Sequence, residues 1–276
     1  MTKRFSLFLI AVISLLFSQH SLAMYQKELW PIWEANNPLS KQTIDHTLWR
    51  DFLKHHVVVN HEDIHLVNYP AITKADIAKL QQYIHFLEQI DIDNYNRDEQ
   101  LAYWLNLYNA LTISIVYRYY PVSSIQDINI SPGLFSVGPW GARLVRVKNI
   151  PLSLEDIHNR IIRPIWNDAR THYAINNGSI GSANLPLVPF DGENIETQLN
   201  DAATAYINCK RGAQVIGGHL ILSKMYKWFA RDFGINDGDL IQHLALFAKE
   251  PLKKQLRHIK TIDGYIYNWH LNTTVK

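Results

Sequence analysis

The 276 residues include a single cysteine, Cys209, so no internal disulfide can hold the chain together. Stability has to come from a packed core. Cys209 lies in AATAYINCKRG with no histidine beside it to activate a thiolate, and it reads as a small buried hydrophobe. Neither sign of charge dominates, with 27 Lys and Arg against 25 Asp and Glu. No field is present that would draw nucleic acid or an anionic membrane. Phosphate loop, glycine-rich dinucleotide turn, Cys-x-x-Cys knuckles and zinc-protease helix are all missing. His61 and His65 in HHVVVNHEDIH are four apart, but the β-branched run opposes the helix on which they could share a metal. No metal and no cofactor is expected.

The start of the chain, MTKRFSLFLIAVISLLFSQHSLAM, combines Lys3 and Arg4, an apolar run from Phe5 to Phe17 and the small residues Ser21 and Ala23. That is the pattern of a secretory signal peptide, and the apolar run falls short of the roughly 20 residues that span a bilayer. Residues 1–23 are therefore expected to be removed. What remains, 24–276, is expected to be one exported domain, periplasmic or secreted, with no stable membrane insertion. No cysteine follows the cleavage point to anchor a lipoprotein. Eight Trp and fourteen Tyr suit a binding cleft or an aromatic core equally.

Periodicity predicts a helix running into a strand over 44–59. A second, amphipathic helix is predicted over 73–90, with Thr73 and Asp76 as a capping box. RDEQLAYWLNLYNALTISIVYRYYP is apolar almost all round and stops at Pro121, which predicts the central buried helix. RLVRVKNIPLS reads as strand and hairpin. SLEDIHNRIIRPIW reads as a helix with Ser153 as N-cap and Asp156 in the capping-box position. THYAI is β-rich, ENIETQLNDAATAYIN helical, and AQVIGGHLILS a hairpin turned by Gly217 and Gly218. Short helices and a strand-like GYIYNWHLN finish the chain. Helices mixed with hairpins, without regular β-α-β alternation, define an α+β class: helices on a small, mostly antiparallel sheet.

Two segments could carry chemistry. On the central helix Asn106 and Asn109 share a face, flanking Tyr108, and amides in so apolar a helix must find partners, either neighbouring backbone or a ligand. In HYAINNGSIGSANLPL, from His172 to Leu187, the small residues around Gly181 and Ser182 permit close backbone approach. That suits a nucleophile's turn, and it suits an ordinary loop.

EQLAYWLNLYNALTISIVYRYYPVSSIQDI, PLSLEDIHNRIIRPIWNDARTHYAINNGSIGSANL, ENIETQLNDAATAYIN, MYKWFARDFG and YNWHLN resemble, in order, the blocks of the domain of unknown function 547 family, from about Gln81 to Asn272. The resemblance implies a fold similar to papain-like cysteine hydrolases, with a cysteine nucleophile and a histidine. Aligned with the family's loop, His172 is the histidine, and Asn177 and Ser182 stand where the family carries cysteine. His158 and Asn159 replace the usual Glu and His, while Lys227 and Asn268 each replace an acid. Cysteines and acids together are gone, which implies altered or lost chemistry.

Two readings follow. Either Ser182 acts with His172 in a hydrolase or acyl-transfer enzyme, His158 or Asn109 orienting the imidazole and Asn106, Asn109, Tyr108, Asn177 and Gly181 binding substrate, or the cleft has lost catalysis and binds a peptide, glycan or protein partner. A site tuned for a thiolate does not become a serine hydrolase by exchanging sulfur for oxygen, because a serine hydroxyl needs a positioned base. The second reading is preferred, since catalytic groups act as a unit and losing one forfeits most of the effect. A hydrogen bond between Ser182 and an imidazole is what separates them.

Overall fold

The computed structural model describes residues 26–134 and 136–274; the expected signal peptide lies outside them. Helix α1 spans Thr47–His56 and runs directly into strand β1, Val57–Val59, which pairs antiparallel with β2, His65–Val67. Helix α2, Lys74–Gln89, starts on the Thr73–Asp76 capping box read from the sequence, with both reciprocal bonds formed. Helix α3, Arg97–Tyr119, is the central element: 17 of its 23 residues are buried. Its polar members are held by the segments that wrap it. Glu99 Oε1 accepts the Ile44 N–H at 2.6 Å and Oε2 the Gly192 N–H at 3.0 Å. Burial pushes the Glu99 carboxyl up and these two donors pull it back.

The hairpin of β3, Val145–Val147, and β4, Ile150–Leu152, leads to the Ser153–Asp156 capping box, which forms as expected. The helix that follows is not plain α. Asp156–Ile162 is a π turn in which the Arg163 N–H reaches back to the His158 carbonyl, and only then does α4, Arg163–Trp166, tighten. Pro164 supplies the reason: it has no N–H to give the carbonyls of Asn159 or Arg160. An N-terminal strap supplies them instead, Glu28 N–H to Asn159 O at 3.1 Å and Trp30 N–H to Arg160 O at 3.0 Å.

THYAI does not form the β structure expected of it. Thr171–Ala174 is a one-turn helix, α5, because Asp168 caps it: its Oδ1 accepts the Arg170 N–H and its carbonyl the Thr171 hydroxyl. Only Ile175 is extended. Helix α6, Ile195–Ile207, precedes strands β5, Ala213–Ile216, and β6, His219–Ser223, joined by Gly217 and Gly218, both at positive φ as the tight hairpin requires. Helices α7, Lys224–Trp228, α8, Ala230–Phe233, α9, Asp237–Phe247, and α10, Leu252–Leu256, complete the helical part. Strand β7, Gly264–Ile266, adds to β6 in parallel, the one parallel pair among the described strands. The α+β class holds, with three small sheets in place of one.

Two hydrophobic cores result, one around α3 and one between α6, the β5–β6 hairpin and α9. Each packs against a neutral histidine, buried in the first and half-buried in the second. His46, beside Tyr83 Oη at 2.6 Å and Asn106 Nδ2 at 3.4 Å, is pushed down from 6.5 to about 4 by burial; His243, at 2.8 Å from Tyr173 Oη, likewise falls to about 4. In the unfolded chain both would protonate near 6.5. Their contribution is therefore complete above pH 6.5 and lost as pH falls towards 4, where the unfolded state binds more protons. Urea midpoints are expected to be lower at pH 5 than at pH 7, and His46→Gln is expected to flatten that dependence.

Candidate functional site

A cavity of about 80 Å³ lies at the seam of the two cores, with Tyr108 and Leu154 from the first and Tyr206 and Met225 from the second among its walls. The loop 175–185 forms its floor and is fixed from both sides. Asn109 Oδ1 accepts the Asn176 N–H and Asn109 Nδ2 donates to the Ala174 carbonyl, each at 2.9 Å. From the other side Ile180 N–H and Gly181 N–H donate to the carbonyls of His270 and Asn268 at 2.8 Å. Gly181 is glycine because a Cβ there would lie 2.9 Å from the Asn268 backbone.

Ser182, 6 % exposed, uses its hydroxyl within this loop. Oγ accepts the Asn177 N–H at 3.0 Å and donates to the Ile175 carbonyl at 3.3 Å; the Tyr267 hydroxyl is its third neighbour. Among the described residues no imidazole is hydrogen-bonded to it. Asn177 Nδ2 donates to Tyr267 Oη at 2.8 Å and its Oδ1 accepts the Ser179 hydroxyl at 2.7 Å, so the residue at the family's other cysteine position is also engaged.

His172 lines the same cavity and is oriented by a residue that the sequence reading did not single out. Its Nε2 lies 2.8 Å from Asp232 Oδ2, which also accepts from Arg163 Nε at 2.6 Å, while Lys27 Nζ is 3.4 Å from Oδ1. The carboxylate can only accept, so Nε2 carries the hydrogen and Nδ1 the lone pair. Nδ1 makes no hydrogen bond among the described residues. Burial drives the His172 pKa down more than Asp232 lifts it, so the ring is neutral at pH 7. Burial also works against the ionised Asp232, but the hydrogen bonds it accepts from His172 and Arg163, together with the Arg163 charge, outweigh it and hold the carboxyl well below the usual range.

The expected orienting residues are thus corrected. Asn109 spends its amide on backbone, and His158 touches the His172 ring at 5.1 Å, edge to face, without the hydrogen bond. His158 is itself buried, which drives its pKa well down, and among the described residues its Nε2 has no hydrogen-bond partner. Asn106 is tied to Phe190, Nδ2 to the carbonyl at 2.8 Å and Oδ1 to the N–H at 3.0 Å, away from the cavity. Of the residues expected to touch substrate, Tyr108 and Asn177 line the cavity; Asn106, Asn109 and Gly181 shape its frame. Missed altogether were Asp232, Arg163, Glu155 and the indoles of Trp140, Trp228 and Trp269. MYKWFARDFG, where Asp232 lies three residues after Phe229, was the available signal for the first.

The site defines a class: an α+β protein whose buried histidine–aspartate pair opens on an aromatic cleft. The model of the family described as "Protein of unknown function, DUF547" matches residues 92–207 of the chain. The match takes in α3, the π turn and the whole loop 175–185, but ends before Asp232, a shorter reach than the 81–272 expected from the sequence. No curated protein and no solved structure matches the chain. Among the described residues no helix is long and apolar enough to cross a membrane, and no cluster of three or more His, Cys, Asp or Glu stands ready for a metal.

Proposed function

We propose that this is an exported protein whose cleft keeps a hydrolase-like frame without its chemistry and binds a peptide, glycan or protein partner. The observation that carries this reading is the Ser182 hydroxyl: it is hydrogen-bonded to Asn177 N–H and the Ile175 carbonyl, and among the described residues no imidazole is hydrogen-bonded to it. Aromatic walls and a rigid floor suit binding. One observation favours the alternative, a hydrolase or acyl-transfer enzyme using Ser182 with His172. The Asp232–His172 pair reproduces two thirds of a triad, with an unbonded Nδ1 at the cavity. Turnover of activated esters separates the two. Wild type is expected to match Ser182→Ala and His172→Ala in rate, all at background; ester hydrolysis abolished by both substitutions overturns the binding reading.

A further inference from the structure

One wall of the cleft is a continuous aromatic surface. Trp140 meets Trp269 at 5.8 Å between ring centroids, Trp269 meets Trp228 at 5.3 Å, and Tyr267 packs against Trp228 at 4.7 Å and Trp269 at 4.6 Å. The interplanar angles, from 33° to 65°, present both faces and edges of the rings. Three indoles line one small cavity, and indole attracts a cation more strongly than the other aromatic rings, because the ring face carries the negative end of the quadrupole.

The charge of the cleft matches. Among the described residues Glu155 is the one acidic residue that lines it, and no Lys or Arg does. Both histidines there are kept neutral by burial. The Glu155 backbone N–H is fixed to the Trp140 carbonyl at 2.9 Å, and its Oε2 lies beside Gly141, where an added Cβ would be 3.7 Å away. Glu155 and Trp140 thus line the same part of the cavity. No ion pair to it forms among the described residues, since Arg143 and Arg160 both turn to Asp156. Burial pushes the Glu155 carboxyl up, and the charges of Arg143 and Arg160 draw it back. A half-buried carboxylate with no ion pair among the described residues, on a cavity walled by indoles, suits a cation that gives up its water cheaply.

We propose that the cleft binds an alkylated ammonium group of the trimethylammonium kind, seated on the Trp140–Trp228–Trp269 wall beside the carboxylate of Glu155. A primary ammonium is the poorer fit, because its strong hydration has to be replaced by acceptors that an indole wall does not offer. Methyl groups make van der Waals contact with the rings and spread the charge over them. The inference rests on the binding reading of the cleft and names the chemistry that the cleft recognises.

The test compares choline with 3,3-dimethylbutan-1-ol, which has the same shape with carbon in place of the charged nitrogen, by calorimetry and tryptophan fluorescence on the full chain. Choline is expected to bind saturably and at least about tenfold more tightly than the alcohol. Glu155→Gln is expected to remove most of that difference without changing the thermal midpoint, and Trp228→Ala to weaken both ligands. Equal affinities, no binding of choline, or a preference for choline that survives Glu155→Gln overturns the inference. Choline failing while a peptide or glycan quenches the fluorescence in a Trp228-dependent way sinks the cation and leaves the cleft's binding role standing; ester turnover by Ser182 sinks that role and not the cation.

Discussion

Asp232→Ala is expected to cost about 3–5 kcal/mol of folding stability, read from urea denaturation at pH 7. The carboxylate is 7 % exposed at its side chain and accepts from Arg163 and His172, whose side chains are 3 % and 1 % exposed. Removing it takes from the buried Arg163 guanidinium the carboxylate that its Nε donates to, 2.6 Å away, where Asn159 Oδ1 at 2.8 Å and the Phe229 ring at 4.7 Å are its other neighbours here. Pairing has little net value of its own; the cost comes from breaking a buried pair from one side. The double variant Asp232→Leu with Arg163→Met is therefore expected to lose less than Asp232→Ala alone. Losses that simply add would contradict this and assign Asp232 to packing. The same carboxyl contributes to acid sensitivity, because a group held below 3.8 in the fold stabilises above that value and fails as pH falls through its folded value.

The second large effect belongs to Asn106. It is fully buried on α3 and forms a two-point bond with the backbone of Phe190, 84 residues away, while Nδ2 also approaches His46 Nε2. Asn106→Ala strips a buried N–H and a buried carbonyl of their partners and opens a small cavity, for an expected loss of about 2–4 kcal/mol. Proteolysis is expected to find the 186–192 segment first, since that is what the amide holds to the helix. A loss under about 0.5 kcal/mol would mean that solvent or a shifted neighbour satisfies both groups.

These two residues mark how far the sequence could be read. The helix of Asn106 was legible because an apolar run of that length, closed by Pro121, has no other use, and a buried amide on it had to find a partner. Capping boxes at Thr73 and Ser153 and the Gly217–Gly218 turn were legible for the same local reason. The π turn was written in Pro164, but its meaning depends on a strap more than 120 residues earlier that takes up the carbonyls. Thr171–Ala174 misled because its β-branched and aromatic residues outweighed Asp168, whose cap decided the matter.

The site divides in the same way. His172, Asn177 and Ser182 come from one loop, and adjacency along the chain placed them together. Asp232 lies 60 residues beyond His172, and the three indoles arrive from three separate segments. Periodicity carries no information about such meetings. What it could not give was the difference between a serine in a loop with a histidine and a serine whose proton has somewhere to go.

That difference is open to direct measurement. Wild-type protein, His172→Ala and a urea-denatured control are treated with a fluorophosphonate probe, and the adduct at Ser182 is quantified by peptide mass spectrometry. A hydroxyl tied to Asn177 N–H and the Ile175 carbonyl, with no imidazole hydrogen-bonded to it among the described residues, is expected to label no faster than the denatured chain. Stoichiometric labelling of Ser182 in the wild type that His172→Ala abolishes would contradict the account and make this cleft an active site.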